Sequence, residues 1–65
     1  MSDKAQKLLE YITEEFMKTG KDVFQNSDYV STYGESAAKE LSDFGYVKIY
    51  ISGSITLDND YKKTL

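Results

Sequence analysis

The chain lacks cysteine, histidine and arginine entirely, although it has 65 residues. Without cysteine and histidine there is no disulfide, no thiolate or imidazole metal ligand, and no imidazole base to activate a serine nucleophile. So short a chain also has little room for a deep substrate cleft. We therefore expect a protein that is not an enzyme, with no catalytic, cofactor or metal site and no small-molecule substrate.

Long apolar runs and proline are also missing. A signal-peptide core would need about 7–15 apolar residues and a membrane span about 20, and the absence of cysteine fits a reducing compartment. No internal repeat or low-complexity tract divides the chain. We therefore expect one cytoplasmic domain over residues 1–65 without membrane contact, ordered from about 3 to 61 and ending in a flexible tail at 62–65.

The charge is acidic and unevenly spread. Eight lysines stand against eleven carboxylates, which gives a net charge of -3, and residues 22–45 hold one lysine and five carboxylates. Arginine is the usual residue for two-pronged contacts to phosphate and guanine, so its absence argues against a dedicated nucleic-acid-binding protein. Because affinity for DNA comes mainly from neutralising phosphates, a duplex should repel residues 22–45.

The N-terminal segment has the periodicity of an amphipathic helix. Ser2 suits its N-cap, Asp3 suits the first turn, and Gly20 suits the left-handed position after the last turn. These signals predict a helix over Asp3–Thr19, followed by a short edge strand near Val23. The predicted buried stripe consists of apolar residues at helical spacing: Ala5, Leu8, Leu9, Ile12 and Phe16.

The region around Gly34 allows two interpretations. Five side chains keep one helical phase across this glycine, namely Val30, Tyr33, Ala37, Leu41 and Phe44. Two helices that cross at a large angle have no reason to share one stripe, so the pattern favours a continuous or merely kinked helix. In the alternative, Gly34 breaks the region and Ser36 caps a second helix of about two turns.

The residues after Gly45 alternate and predict a half-buried strand that returns as an antiparallel hairpin. Its inward residues should be Val47, Ile49 and Ile51. Its outward residues should be Tyr46, Lys48 and Tyr50.

The hairpin turn is predicted from the returning strand. Ile55 and Leu57 reach the inner face only if the loop has an odd number of residues. A three-residue loop over 52–54 would pair Ile51 with Ile55 and Ile49 with Leu57. The same register would set Lys48 opposite an aspartate, Asp58, on the outer face.

The order of helix, short strand, helical region and hairpin resembles the winged-helix superfamily. The most similar passage leads into the hairpin and consists of Leu41, Phe44, Gly45, Tyr46, Val47 and Lys48. The resemblance implies a small α+β fold in which the helix before the hairpin corresponds to the DNA-reading helix and the hairpin to the wing. Many members are DNA-binding regulators and a minority bind proteins. For DNA, it would assign contacts to Ser36, Lys39 and Lys48.

Six tyrosines are an unusual number for this length. Tyr46 and Tyr50 should flank Lys48 on the outward hairpin face, where exposed tyrosines are typical of protein interfaces; strand propensity with packing inside the domain is the other explanation. We interpret the chain as a non-enzymatic interaction module that binds a protein through Tyr46, Lys48 and Tyr50 or through its acidic helix. The alternative is a DNA-binding winged-helix regulator that uses Ser36, Lys39 and Lys48. A third interpretation is an acidic protein that covers the basic surface of a DNA-binding partner.

Overall fold

Four helices and a three-stranded antiparallel sheet make up the fold, in a computed structural model that describes all 65 residues. The elements in chain order are α1 (Asp3–Thr19), β1 (Val23–Phe24), α2 (Asn26–Tyr33), α3 (Glu35–Asp43), β2 (Val47–Ile49), β3 (Ile55–Leu57) and α4 (Asn59–Lys62). The predicted α+β class is confirmed.

Helix α1 has the predicted bounds and the predicted caps. The Ser2 hydroxyl accepts a hydrogen bond from the Ala5 amide at 3.2 Å, and the left-handed Gly20 donates its N–H to the Phe16 carbonyl at 2.8 Å. One face of the helix is fully buried and consists of Ala5, Leu8 and Ile12. Leu9 and Phe16 pack at its margin, so the predicted stripe is confirmed.

Helices α2 and α3 are separate, so the favoured prediction of a continuous or kinked helix is wrong and the alternative, a break at Gly34, is confirmed. Gly34 has φ 91° and ψ 155°, a conformation that only glycine reaches without strain. Its N–H closes α2 on the Val30 carbonyl at 2.8 Å, and Gly34 itself is the N-cap residue of α3. Ser36 therefore lies inside the first turn of α3 instead of capping it.

The break changes which side chains of this region are buried. Tyr29 reaches the core, whereas Phe44, which was predicted on the buried stripe, is 58% exposed. Tyr33 and Val30 pack only at the core's margin. Helix α3 buries two adjacent alanines together with Leu41, and this wider face would not have followed from one continuous stripe.

The sheet has the order β1-β3-β2, so the last strand lies in the middle. The predicted edge strand near Val23 is confirmed, and Val23 and Phe24 pair with Thr56 and Ile55 of β3. Phe24 is fully buried, while Val23 faces outward. The pairing of β1 with β3 ties the segment after α1 to the end of the chain.

The hairpin pairs in a different register from the one predicted. Ile49 lies opposite Ile55, and Lys48 lies opposite Thr56 instead of an aspartate. Ile51 does not pair with Ile55 and lies outside the strands. The alternation keeps the predicted parity, because the register differs by two positions and side chains alternate with a period of two. Val47 is buried as predicted, but Ile49 at the strand end is 41% exposed instead of buried.

Eleven side chains from α1, α2, α3 and all three strands form one hydrophobic core: Ala5, Leu8, Ile12, Phe24, Tyr29, Ala37, Ala38, Leu41, Val47, Ile55 and Leu57.

The short helix α4 ends at Lys62, the first residue of the predicted tail, whose Nζ lies 2.9 Å from Oδ2 of Asp22. The Tyr61 hydroxyl lies 2.9 Å from Oγ1 of Thr13 on α1. No helix has both the length and the apolar character that crossing a bilayer requires.

Candidate interaction surface

The loop between β2 and β3 is a tight three-residue turn over residues 51–53. The Tyr50 N–H donates to the Ser54 carbonyl at 2.9 Å, and the Gly53 N–H donates back to the Tyr50 carbonyl at 2.9 Å. Gly53 has φ +88°, the left-handed conformation that a three-residue hairpin loop needs at its third position. The loop has the predicted length but lies one residue earlier in the chain.

The loop is tied to helix α2. The buried Tyr29 donates its hydroxyl proton to the Gly53 carbonyl. Gly53 also lies against Asn26, since a Cβ added to it would lie 2.7 Å from the Asn26 Nδ2 atom. Within the loop, the hydroxyls of Ser52 and Ser54 are 2.9 Å apart. These contacts hold the loop in one conformation against the rest of the domain.

Three consecutive apolar side chains project from this anchored loop and the strand end before it. Ile51 is fully exposed, Tyr50 is 50% exposed and Ile49 is 41% exposed. We call these three residues the hairpin tip. Exposed isoleucines side by side leave apolar area in water that a partner could cover, and such clusters are typical of binding surfaces.

A groove of about 580 Å³ separates the hairpin tip from the start of α3. The tip and the loop form one wall, and the facing wall is polar, with Asn26, Glu35, Ser36 and Lys39. Ser36 and Lys39, two of the predicted nucleic-acid contacts, therefore face Tyr50, one of the predicted protein contacts. The groove therefore has apolar side chains on one wall and, on the other, one negatively charged and one positively charged side chain.

The two charged residues of the groove have no ion-pair partner. Glu35 and Lys39 are both exposed, and neither belongs to any of the ion pairs in the fold. Burial raises the pKa of the Tyr29 hydroxyl, and the negative charge of Glu35 raises it further. No three acidic side chains lie close enough together to hold a metal ion.

The outer face of the sheet has a smaller depression of about 200 Å³. Lys48 and Tyr50 line it together with Lys62, which hydrogen-bonds to Asp22 and thereby holds the pKa of that carboxyl below its usual value. Lys48 has no carboxylate partner within ion-pair distance. Two of the three predicted protein-contact residues therefore share one surface.

Tyr46, the third predicted protein-contact residue, belongs to an aromatic cluster. Its ring meets the edge of Tyr61 with 4.9 Å between centroids and stacks on Phe44 at 6.5 Å. Tyr46 is half-buried against the core as a result. The three predicted residues thus divide between a packed aromatic cluster and the face that carries Lys48 and Tyr50.

Ile49 and Ile51 were not predicted as surface residues, and Glu35 was included only as part of the acidic helix. Ile49 and Ile51 were assigned to the inner face of a longer strand. Gly53 was the signal that could have located the tip, because a three-residue loop with its glycine in third place begins at Ile51.

The comparisons with known proteins give no relative. No family model matches the chain, no curated protein sequence is similar to it, and no solved structure resembles its fold closely enough to match.

Proposed function

We propose that the chain is a non-enzymatic interaction module with a winged-helix-like fold, which binds a protein partner through the hairpin tip and the groove beside it. The supporting observation is Ile51, a fully exposed isoleucine on a loop that Tyr29 and Asn26 hold in place. A loop ordered before binding loses little conformational entropy when a partner covers it. The apolar area of the tip is then available to stabilise the complex.

The order of elements supports the winged-helix part of the proposal. Helices α1, α2 and α3 precede the β2–β3 hairpin, and the short strand β1 lies between α1 and α2. In this arrangement α3 corresponds to the DNA-reading helix and the hairpin to the wing. The groove between them lies on the surface that DNA-binding members of the superfamily would turn towards a duplex.

The chemistry of that surface favours a protein over DNA. Its hairpin wall is apolar, and its helix wall carries one carboxylate and one lysine, Glu35 and Lys39. Lys48, which the DNA interpretation needs as a third contact, lines the other depression on the sheet. Such a surface neutralises few phosphates, whereas apolar residues next to polar ones are what a protein interface requires.

The test compares capture by the tagged wild-type chain with capture by Ile51→Ser from a lysate that also contains the untagged chain. Burial of one isoleucine contributes about 1.5–3 kcal/mol, so affinity should fall about 10- to 100-fold. Met17→Ser is the matched control, because Met17 is also well exposed but lies on α1. Capture should survive Met17→Ser and fail with Ile51→Ser.

Equal capture by both variants would refute the role of the hairpin tip. A second arm titrates the wild-type chain with a random duplex at low salt and follows backbone amide shifts. Shifts confined to Ser36, Lys39 and Lys48 that vanish as salt rises would support the DNA regulator instead.

A further inference from the structure

We infer that the partner of the hairpin tip is a second copy of this chain, in a two-fold symmetric dimer that joins groove to groove. This inference rests on the proposed function, since it names the occupant of the same surface. Two features of the groove support it: its pair of opposite charges, which also leaves it locally neutral, and its combination of projection and recess.

The two charges of the groove can pair with the same two charges on a second copy. Glu35 and Lys39 lie one turn apart on α3 and are both unpaired. In a two-fold interface every contact occurs twice, with the two copies exchanged. Glu35 of the first copy can therefore face Lys39 of the second, while Lys39 of the first copy faces Glu35 of the second. A partner of one charge sign would match only one of these two charges.

The shape of the surface has the same property. The fully exposed Ile51 projects from the tip, and the recess beside it begins on the same face of the molecule. In a two-fold interface a projection can fill a recess only if both lie on one surface, because both copies use the same patch. Each Ile51 can then enter the groove of the other copy and be covered there.

The local charge of the groove is compatible with contact between two copies. The chain carries a net charge of -3, so two copies repel each other on average. The groove holds one carboxylate and one ammonium and is locally neutral. The groove itself therefore adds no net repulsion between the two copies where their apolar side chains meet.

The size of the chain limits the strength of the dimer. The whole chain exposes 4143 Å², and a standard interface covers about 800 Å² on each partner, which would be about a fifth of this surface. Interfaces at the small end of the range are transient. We expect rapid exchange between monomer and dimer, with a dissociation constant in the micromolar range.

Charge reversal tests the arrangement by sedimentation equilibrium of the purified full chain. Glu35→Lys gives every copy two cations in the groove, and Lys39→Glu gives every copy two carboxylates. Each variant alone should associate at least tenfold more weakly than the wild type, since like charges then meet across the interface. An equimolar mixture of the two variants should form a mixed dimer about as tight as the wild-type dimer.

Two further variants complete the design. The double variant Glu35→Lys, Lys39→Glu keeps one charge of each sign on every copy and should dimerise by itself. Ile51→Ser should be monomeric and should not be rescued by mixing with either charge variant. All three positions are exposed, so the urea midpoints of Lys39→Glu and Ile51→Ser should stay close to that of the wild type. The midpoint of Glu35→Lys should fall only by the small cost of a lysine in the first turn of a helix. The urea midpoints therefore separate loss of association from loss of folding.

A wild-type chain that stays monomeric at about 1 mM, far above the micromolar range expected for a small interface, would overturn the dimer. So would single variants that fail to associate when mixed although the wild type dimerises. If the pure chain is monomeric while capture from the lysate still depends on Ile51, the dimer fails and the proposed function stands. If neither self-association nor capture depends on Ile51, both fail.

Discussion

The contact between the hairpin loop and α2 predicts that Gly53→Ala destabilises the fold by about 2–3 kcal/mol. About 1–2 kcal/mol comes from the backbone, because φ at this position is +88° and alanine is strained there. The new Cβ would also lie 2.7 Å from Nδ2, 3.3 Å from Cβ and 3.4 Å from Cγ of Asn26. Moving this side chain should add about 1 kcal/mol, at the low end for overpacking, because the nearest atom is the free end of an amide.

Gly45→Ala separates the two contributions. Gly45 has a similar φ of +85°, but a Cβ added there would meet no atom within 4 Å. Gly45→Ala should therefore lower the free energy of unfolding by the backbone contribution alone, about 1–2 kcal/mol. Introducing Gly53→Ala into an Asn26→Ala background removes two of the three close atoms and leaves only the Cβ at 3.3 Å, so the cost there should fall close to that of Gly45→Ala.

The measurement is equilibrium unfolding in urea at 25 °C, with the free energy of unfolding extrapolated to water for each variant. A domain of this size should be stable by about 3–10 kcal/mol, so a loss of 2–3 kcal/mol moves the midpoint clearly. The reasoning is refuted if Gly53→Ala costs no more than Gly45→Ala. It is also refuted if the cost of Gly53→Ala is the same with and without the Asn26 side chain.

Three further predictions concern the core and two titrating groups. Leu8→Ala removes a fully buried side chain and should lower the urea-derived free energy of unfolding by about 2–5 kcal/mol. The hydrogen bond from Lys62 lowers the pKa of Asp22. The pair therefore stabilises the fold fully above the unfolded pKa of about 4, and this contribution is lost as pH falls through the lower folded pKa. Lys62→Met should flatten the fall in melting temperature in that acid range, and an unchanged profile would contradict the pairing. Burial raises the pKa of Tyr29 above its usual value of 10.0, so an absorbance titration should show one tyrosine that ionises late. Tyr29→Phe should abolish that late component. It should also lower the free energy of unfolding by about 0.5–1.5 kcal/mol, because the Gly53 carbonyl loses its hydrogen bond.

Helix α1 could be predicted to the residue because its signals are local. Its N-cap, its left-handed glycine and its apolar stripe all lie within the segment itself, and no distant contact has to be known. Ser2 and Gly20 form the hydrogen bonds that their residue types predicted. The short strand at Val23 was also predictable in place, although its pairing with the last strand was not, since that contact joins segments more than 30 residues apart.

The break at Gly34 could not be decided from periodicity. Val30, Tyr33, Ala37 and Leu41 would share one face of a single helix, and all four are indeed buried or half-buried. In the fold, however, they belong to two helices that both pack against α1. Two separate burial patterns happened to be in phase, and the backbone freedom of Gly34 was the better indicator.

Predicting the candidate surface from the sequence required the register of the hairpin. The residue pair that favoured the predicted register contributes little energy. Alternation fixes which face a strand residue occupies, but it cannot distinguish registers that differ by two positions. A cross-strand pair such as Ile51 with Ile55 contributes about 0.2–1 kcal/mol.

The predicted register, in contrast, would place Ser54 at the left-handed third position of the loop, at a cost of about 1–2 kcal/mol. It would also move Gly53 away from that position and disturb the hydrogen bond that its carbonyl accepts from Tyr29. The turn therefore determines the register. Because Gly53 takes the third position of the loop, Ile51 takes the first, leaves the sheet and becomes the exposed residue on which the proposed interaction depends.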